Sequence, residues 1–155
     1  MKPWPEELIR FLERPSPLFA HVAAVKNGAH PFCCRVYGVQ ADANGLLWIS
    51  VLTKQWRRLS DYKADGSCLA VLLTSGLDNE SYQAKGPFVR CRAFAEDDSA
   101  LLERQRKLTV DCFPNLAQLL HIDSSDCLVI GMEVHSVYIQ TPGPRAGSLL
   151  AERRG

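Results

Sequence analysis

The spacing of apolar and polar positions changes several times along the chain, and each change marks an element. In residues 4–14, Leu8, Phe11 and Leu12 recur at i, i+3, i+4, opposite Glu6, Glu7, Arg10 and Glu13, which is the period of an amphipathic helix. Pro5 suits its first turn and Pro15 ends it, so a short helix is expected within residues 1–15. The period then shortens. Residues 18–25 (LFAHVAAV) form an apolar run, and Asn27-Gly28, a pair that accepts positive φ, predicts a hairpin turn. Residues 32–41 (FCCRVYGVQA) predict the returning strand, with Cys34, Val36, Gly38 and Gln40 on one face. A tight turn at 42–45 (DANG) leads into 46–52 (LLWISVL), a buried strand that completes an antiparallel meander.

Residues 54–63 (KQWRRLSDYK) leave the strand pattern and predict a short helix with Trp56, Leu59 and Tyr62 on one side. Asp65-Gly66 marks a turn, and 68–74 (CLAVLLT) is another apolar strand. Residues 81–94 (SYQAKGPFVRCRAF) predict a long strand in which Gly86-Pro87 calls for a bulge or corner. A helix over 97–108, capped by Asp98 or Ser99, and a shorter one over 114–120 precede the last strand, 128–139 (LVIGMEVHSVYI). Residues 140–155, rich in Gly, Pro and Arg, read as a loosely held tail. Strands joined by tight turns favour an antiparallel barrel, because parallel strands each need a long crossover. The expectation is one domain over residues 1–155, mainly β (α+β), a six-stranded antiparallel barrel with short flanking helices.

Composition bears this out as a globular class: 155 residues, 46% hydrophobic and 23% charged. Eighteen basic against 17 acidic residues give a net charge of +1, which supplies no global field for a polyanion, so no nucleic-acid partner is expected. The longest stretch without Asp, Glu, Lys or Arg, residues 66–77, is too short to cross a bilayer. Residues 1–10 (MKPWPEELIR) place acids where a signal peptide needs an apolar core, so a cytoplasmic protein is expected. Cys33, Cys34, Cys68, Cys91, Cys112 and Cys127 show no Cys-x-x-Cys or zinc spacing and are expected as buried, reduced thiols, with no metal site.

The chemistry concentrates at 50–59 (SVLTKQWRRL), where a buried strand meets a helix start. Free N–H groups and the positive end of the helix dipole attract an anion there. Lys54 and Arg58, at i, i+4, can grip a phosphate, with the Thr53 hydroxyl as a further donor. The alternative is a solvated basic face with Trp56 and Leu59 turned inward. Arg35 interrupts an apolar strand and either reaches a ligand or lies on an exposed face; Gln83 and Lys85 line the same cleft or face water. No acyl-transfer elbow, Walker loop or dinucleotide fingerprint occurs, and no residue is singled out as catalytic.

Three stretches, taken in order, carry a resemblance: LFAHVAAVKNGAHPFCCRVYGVQADANGLLWISVL, TKQWRRLSDYKADGSCLAVLLT and ESYQAKGPFVRCRAF. Together they resemble the FMN-binding split-barrel family, the pyridoxamine 5'-phosphate oxidase-like proteins. The resemblance implies a homodimer of split barrels with FMN in two clefts at the subunit interface. It implies that the isoalloxazine ring lies along Arg35, Val36, Tyr37, Ser50, Val51 and Leu52, with the phosphate held by Thr53, Lys54, Gln55 and Arg58. Gln83 would touch the flavin across the interface. The family's basic triplet, Ser-Arg-Lys or similar, is here Thr-Lys-Gln-Trp-Arg-Arg, with bulky Trp56 where a smaller or basic residue is usual. The implied activity is a flavin-dependent oxidoreductase acting on a small molecule. The alternatives are a non-catalytic flavin carrier or sensor, and a split barrel binding haem or deazaflavin.

Overall fold

Burial alternates with period 2 where a strand turns only one face to the core. In the computed structural model, which describes residues 4–25, 30–61 and 68–153, strand β5 (Cys68–Ser75) buries Leu69, Val71, Leu73 and Ser75 and leaves Cys68 and Leu72 exposed. Strand β4 (Leu46–Leu52) instead buries every residue from Leu47 to Val51, so both of its faces are covered. Strands β1 (Leu18–Ala24) and β2 (Phe32–Val36) form the first hairpin, and β1 also pairs with β5. The turns expected at Asn27-Gly28 and Asp65-Gly66 lie outside the described residues.

Strand β6 (Ser81–Ala93) holds the two halves of the sheet together. Its first part pairs with β5 on one side and with β8 (Ser136–Ile139) on the other. Its second part pairs with β7 (Cys127–Glu133), with a register shift between Phe88 and Arg90. The change of partner falls at Gly86-Pro87, the corner expected from the sequence. A Cβ on Gly86 would overlap the backbone carbonyl of Glu133, so only glycine lets the two strands cross so closely.

The stretch 32–41 is two strands and not one. β2 pairs with β1, whereas β3 (Gly38–Ala41) pairs with β4, and the break falls at Tyr37, whose N–H donates to the Ser50 carbonyl at 2.8 Å. The break shifts the phase of the alternation: Cys34 and Val36 face the core before it, Val39 after it. Gln40, expected on the face of Cys34 and Val36, is therefore exposed. Residues 128–139 likewise divide into β7 and β8. Residues 140–155, expected as a loose tail, carry a further strand, β9 (Leu149–Glu152), on the free edge of β8. The six expected strands thus become nine among the described residues, all antiparallel, in the order β2-β1-β5-β6-β7-β4-β3 with β8 and β9 branching from β6.

Helix α1 (Glu6–Glu13) inserts Leu8 and Phe11 into the core, where the Phe11 ring meets Tyr82 edge-on at 5.0 Å. Arg145 pairs with Glu7, and Arg14 with Asp78 and Glu80, tying helix, hairpin and tail loop together. Helix α2 (Thr53–Asp61) follows β4 without a connecting loop and buries Leu59. Helix α3 (Glu96–Cys112) is fixed at its start by Asp98, which accepts the Ala95 N–H at 2.9 Å and pairs with Arg92 through two hydrogen bonds of 2.6 and 2.9 Å. Pro114–Leu120 forms a 3₁₀ helix, and a shorter 3₁₀ turn, Ser124–Asp126, leads into β7. No helix among the described residues is long and apolar enough to cross a membrane.

Only Cys34 and Cys127 are buried; Cys33, Cys68, Cys91 and Cys112 are exposed, against the expectation of buried thiols. Strand alternation explains two of them, since Cys33 and Cys68 fall on the outward phase of β2 and β5. Burial pushes the Cys34 thiol up to about 11 and raises Cys127 as well, which keeps both protonated at neutral pH.

Candidate functional site

Because β4 runs straight into α2, the first turn of the helix sits at the end of a buried strand. The pairing of β4 with β7 sets Leu52 opposite Cys127, and this brings the turn before β7 alongside the helix start. Between them lies a cavity of about 420 Å³ lined by Leu52, Thr53, Lys54 and Arg57 on one side and Ser125 and Asp126 on the other. Its polar groups are a lysine, an arginine and a threonine hydroxyl opposite a serine and a carboxylate. That donor set suits a phosphate ester whose remaining part carries hydroxyl groups.

The basic residues do not fall as the sequence implied. Arg58 lies away from this cavity, its guanidinium carbon 4.5 Å from the centre of the Phe32 ring on β2. Arg57, one residue earlier, takes its place beside Lys54. Leu59 points into the core, and Gln55, one turn before it, turns the same way, its Oε1 buried with no hydrogen-bond partner. Trp56 packs against the core and stacks 5.1 Å from Phe88.

The other predicted residues gather at the seam between the two halves of the sheet. Tyr37 hydrogen-bonds Ser50, and Gly38 pairs with it. Val36, Ser50 and Val51 are buried, the two valines in the core. Ser50 lies under α3, with Oγ 3.2 Å and Leu101 Cδ2 3.6 Å from where a Cβ on Gly38 would stand. The Arg35 guanidinium sits 5.5 Å from the centre of the Phe19 ring and 5.8 Å from that of Tyr37. Burial raises the Tyr37 hydroxyl, with the Arg35 charge opposing it. Arg35, Val36 and Tyr37 line a second groove closed by Leu102, Gln105, Arg106 and Thr109 of α3, and it offers only about 30 Å³.

Gln83 is elsewhere. Strand pairing aligns Arg35, His21, Leu72, Gln83 and Tyr138 in a single row across the outer face of the sheet. Three strand spacings of ~4.8 Å put Gln83 roughly 14 Å from Arg35. Beside it, Gln140 donates from Nε2 to Gln83 Oε1 at 3.5 Å.

Arg57, Ser125, Asp126 and Gln140 are the residues that sequence reasoning passed over. Arg57 stood inside the recognised basic run, and its i, i+3 spacing from Lys54 was the available signal. Ser125, Asp126 and Gln140 carried none, since only strand pairing delivers them. The histidines His21, His30, His121 and His135 are all exposed, and no three His, Cys, Asp or Glu side chains among the described residues converge as a metal would require.

No protein-family model matches the chain, and no curated protein matches it by sequence. Solved structures do resemble it. HupZ of Group A Streptococcus superposes with a TM-score of 0.53 at 13% identity, over 91% of this chain and 98% of that one. A putative pyridoxamine 5'-phosphate oxidase of Lactobacillus delbrueckii gives 0.52 at 11% identity, over 87% and 93%. A pyridoxamine 5'-phosphate oxidase-related, FMN-binding protein of Nostoc punctiforme gives 0.52 at 10% identity, over 88% and 83%. At these identities the likeness is one of fold.

Proposed function

We propose that this chain, which shares the split-barrel fold of the pyridoxamine 5'-phosphate oxidase-like proteins, binds FMN as a homodimer and serves as a flavin-dependent oxidoreductase on a small molecule. The observation that carries this is the cavity at the start of α2. Lys54, Arg57 and Thr53 would hold the phosphate, and Ser125 and Asp126 stand where ribityl hydroxyls can donate to them. Leu52 supplies apolar wall toward the ring. When bound, the flavin supplies hydride acceptance and donation; the residues of this chain position it.

The ring end requires a second molecule. The groove at Arg35–Tyr37 has about 30 Å³, enough for one or two waters, whereas ligand pockets run to ~300 Å³ or more, so the ring does not fit inside one chain there. The outer row supplies a way to build the missing wall. Arg35 and Gln83 lie on either side of His21 and Leu72, so a twofold axis near the middle of that row brings Gln83 of one copy against Arg35 of the other. This agrees with the trans contact implied for Gln83 by the resemblance.

The test is an absorbance spectrum of the purified protein, repeated after incubation with FMN and desalting, followed by fluorescence titration. Retained flavin bands are expected, with Lys54→Ala and Arg57→Ala each weakening FMN by ~10-fold or more and Arg58→Ala changing it little. Colourless protein after reconstitution, or equal losses for Arg57 and Arg58, would refute the assignment. A Soret band would transfer the fold to haem, and bound flavin without turnover by NADH or NADPH and common acceptors would make the protein a carrier.

A further inference from the structure

The orientation of one amide on the outer face bears on what the bound molecule must present. Gln83 Oε1 accepts from Gln140 Nε2 at 3.5 Å, so its acceptor is engaged within the chain and its NH2 group is the part left to a ligand. Both side chains are half-buried on the face where Tyr138 stands directly opposite Gln83. Lys85, the nearby cation on β6, is held with Nζ 4.8 Å from the centre of the Tyr138 ring.

The backbone at Gln140 is firmly placed. Its N–H and that of Thr141 both donate to the Ser81 carbonyl, at 2.8 and 3.1 Å, and the Ser81 N–H returns a bond of 2.9 Å to Thr141 Oγ1. On the other side of the loop the Gly147 N–H reaches the Ile139 carbonyl at 2.7 Å, with Gly147 at φ +82° closing the turn. The 140–147 segment is therefore pinned to β6 and β8 at the point where Gln140 meets Gln83.

Building on the flavin reading above, we propose that Gln140 is a positioning residue that sets the Gln83 amide so that it donates from its NH2 group to a carbonyl edge of the bound ligand. The pyrimidine end of a flavin, with its two carbonyl groups, has that chemistry.

Gln140→Glu tests this at constant side-chain size. The introduced carboxylate can only accept at neutral pH, so the Gln83 amide must turn its NH2 inward and present its carbonyl outward. FMN affinity is expected to fall ~10-fold or more by fluorescence titration, because acceptor then faces acceptor. The visible absorption maximum of the bound flavin should shift, while the melting temperature of the flavin-free protein stays unchanged. Because Gln140 acts through Gln83, the same substitution made in a Gln83→Ala background should cost nothing further. An equal loss in both backgrounds, or no loss in either, overturns the proposal. If FMN binding depends on Lys54 but ignores Gln140, the flavin reading stands and this inference alone fails; if the wild-type chain binds no flavin, both fail.

Discussion

At Gly86 a single missing methyl group decides the architecture. The strand leaves β5 and β8 there and passes to β7, with the Glu133 carbonyl in the space a side chain would need. Gly86→Ala must displace backbone, and a loss of ~3 kcal/mol or more is expected by urea unfolding, above the usual range for overpacking. A loss under 1 kcal/mol would mean the crossing is less tight than it stands here. The neighbouring arginines Arg57 and Arg58 make the contrasting case. They are the same residue type one position apart, yet a turn of about 100° per residue sends one to the cavity and the other over Phe32. The basic run at 54–58 was legible in the sequence as a candidate anion site; which arginine lines the cavity was not, because that depends on Leu59 being the residue the core takes up.

Among the elements, α3 depends on one carboxylate. Asp98, only 4% exposed, caps the Ala95 N–H and binds an Arg92 whose side chain remains 36% exposed. Burial by itself would raise the Asp98 carboxyl; the Arg92 hydrogen bonds, the Ala95 N–H and the Arg92 charge outweigh it and hold the group below the ordinary carboxylate value. A lowered folded value means the stabilisation is complete above the unfolded value of ~3.9 and disappears as pH falls through the folded one. Asp98→Ala should therefore cost ~1–2 kcal/mol at pH 7 by denaturant unfolding, the scale of a lost helix cap, and the gap from wild type should close below about pH 4. A gap that persisted in acid would assign the cost to packing instead. The helix itself was readable from local spacing, with Asp98 or Ser99 as the expected cap; that Asp98 serves the Ala95 N–H was decided by where the helix starts. The helix's role in closing the Arg35–Tyr37 groove was not readable, since Leu102, Gln105 and Thr109 reach that wall only through tertiary placement.

For the whole molecule, the outer row from Arg35 to Tyr138 is the surface on which the functional reading turns. Leu72, 37% exposed, sits near its middle. Light scattering after size exclusion is expected to give twice the 17.3 kDa chain mass. Leu72→Glu should shift the protein to monomer and weaken FMN together, because in the proposed dimer the partner's end of the row completes the site; monomer with full flavin affinity would show that one chain suffices.

Local chemistry along the chain determined much of this molecule. Periods of 3.6 and 2 located the helices and strands, Gly86-Pro87 marked the corner, and the junction after residue 52 marked where the cavity beside Lys54 lies. Tertiary structure alone decided the rest: the break at Tyr37 that shifts the buried phase, the strand at Leu149–Glu152, the approach of Ser125 and Asp126 to Lys54, and the contact between Gln83 and Gln140. The physical reason is the same in each case. Periodicity is set by neighbours a few residues apart, whereas these features follow from which distant strand satisfies a backbone edge and covers an apolar face.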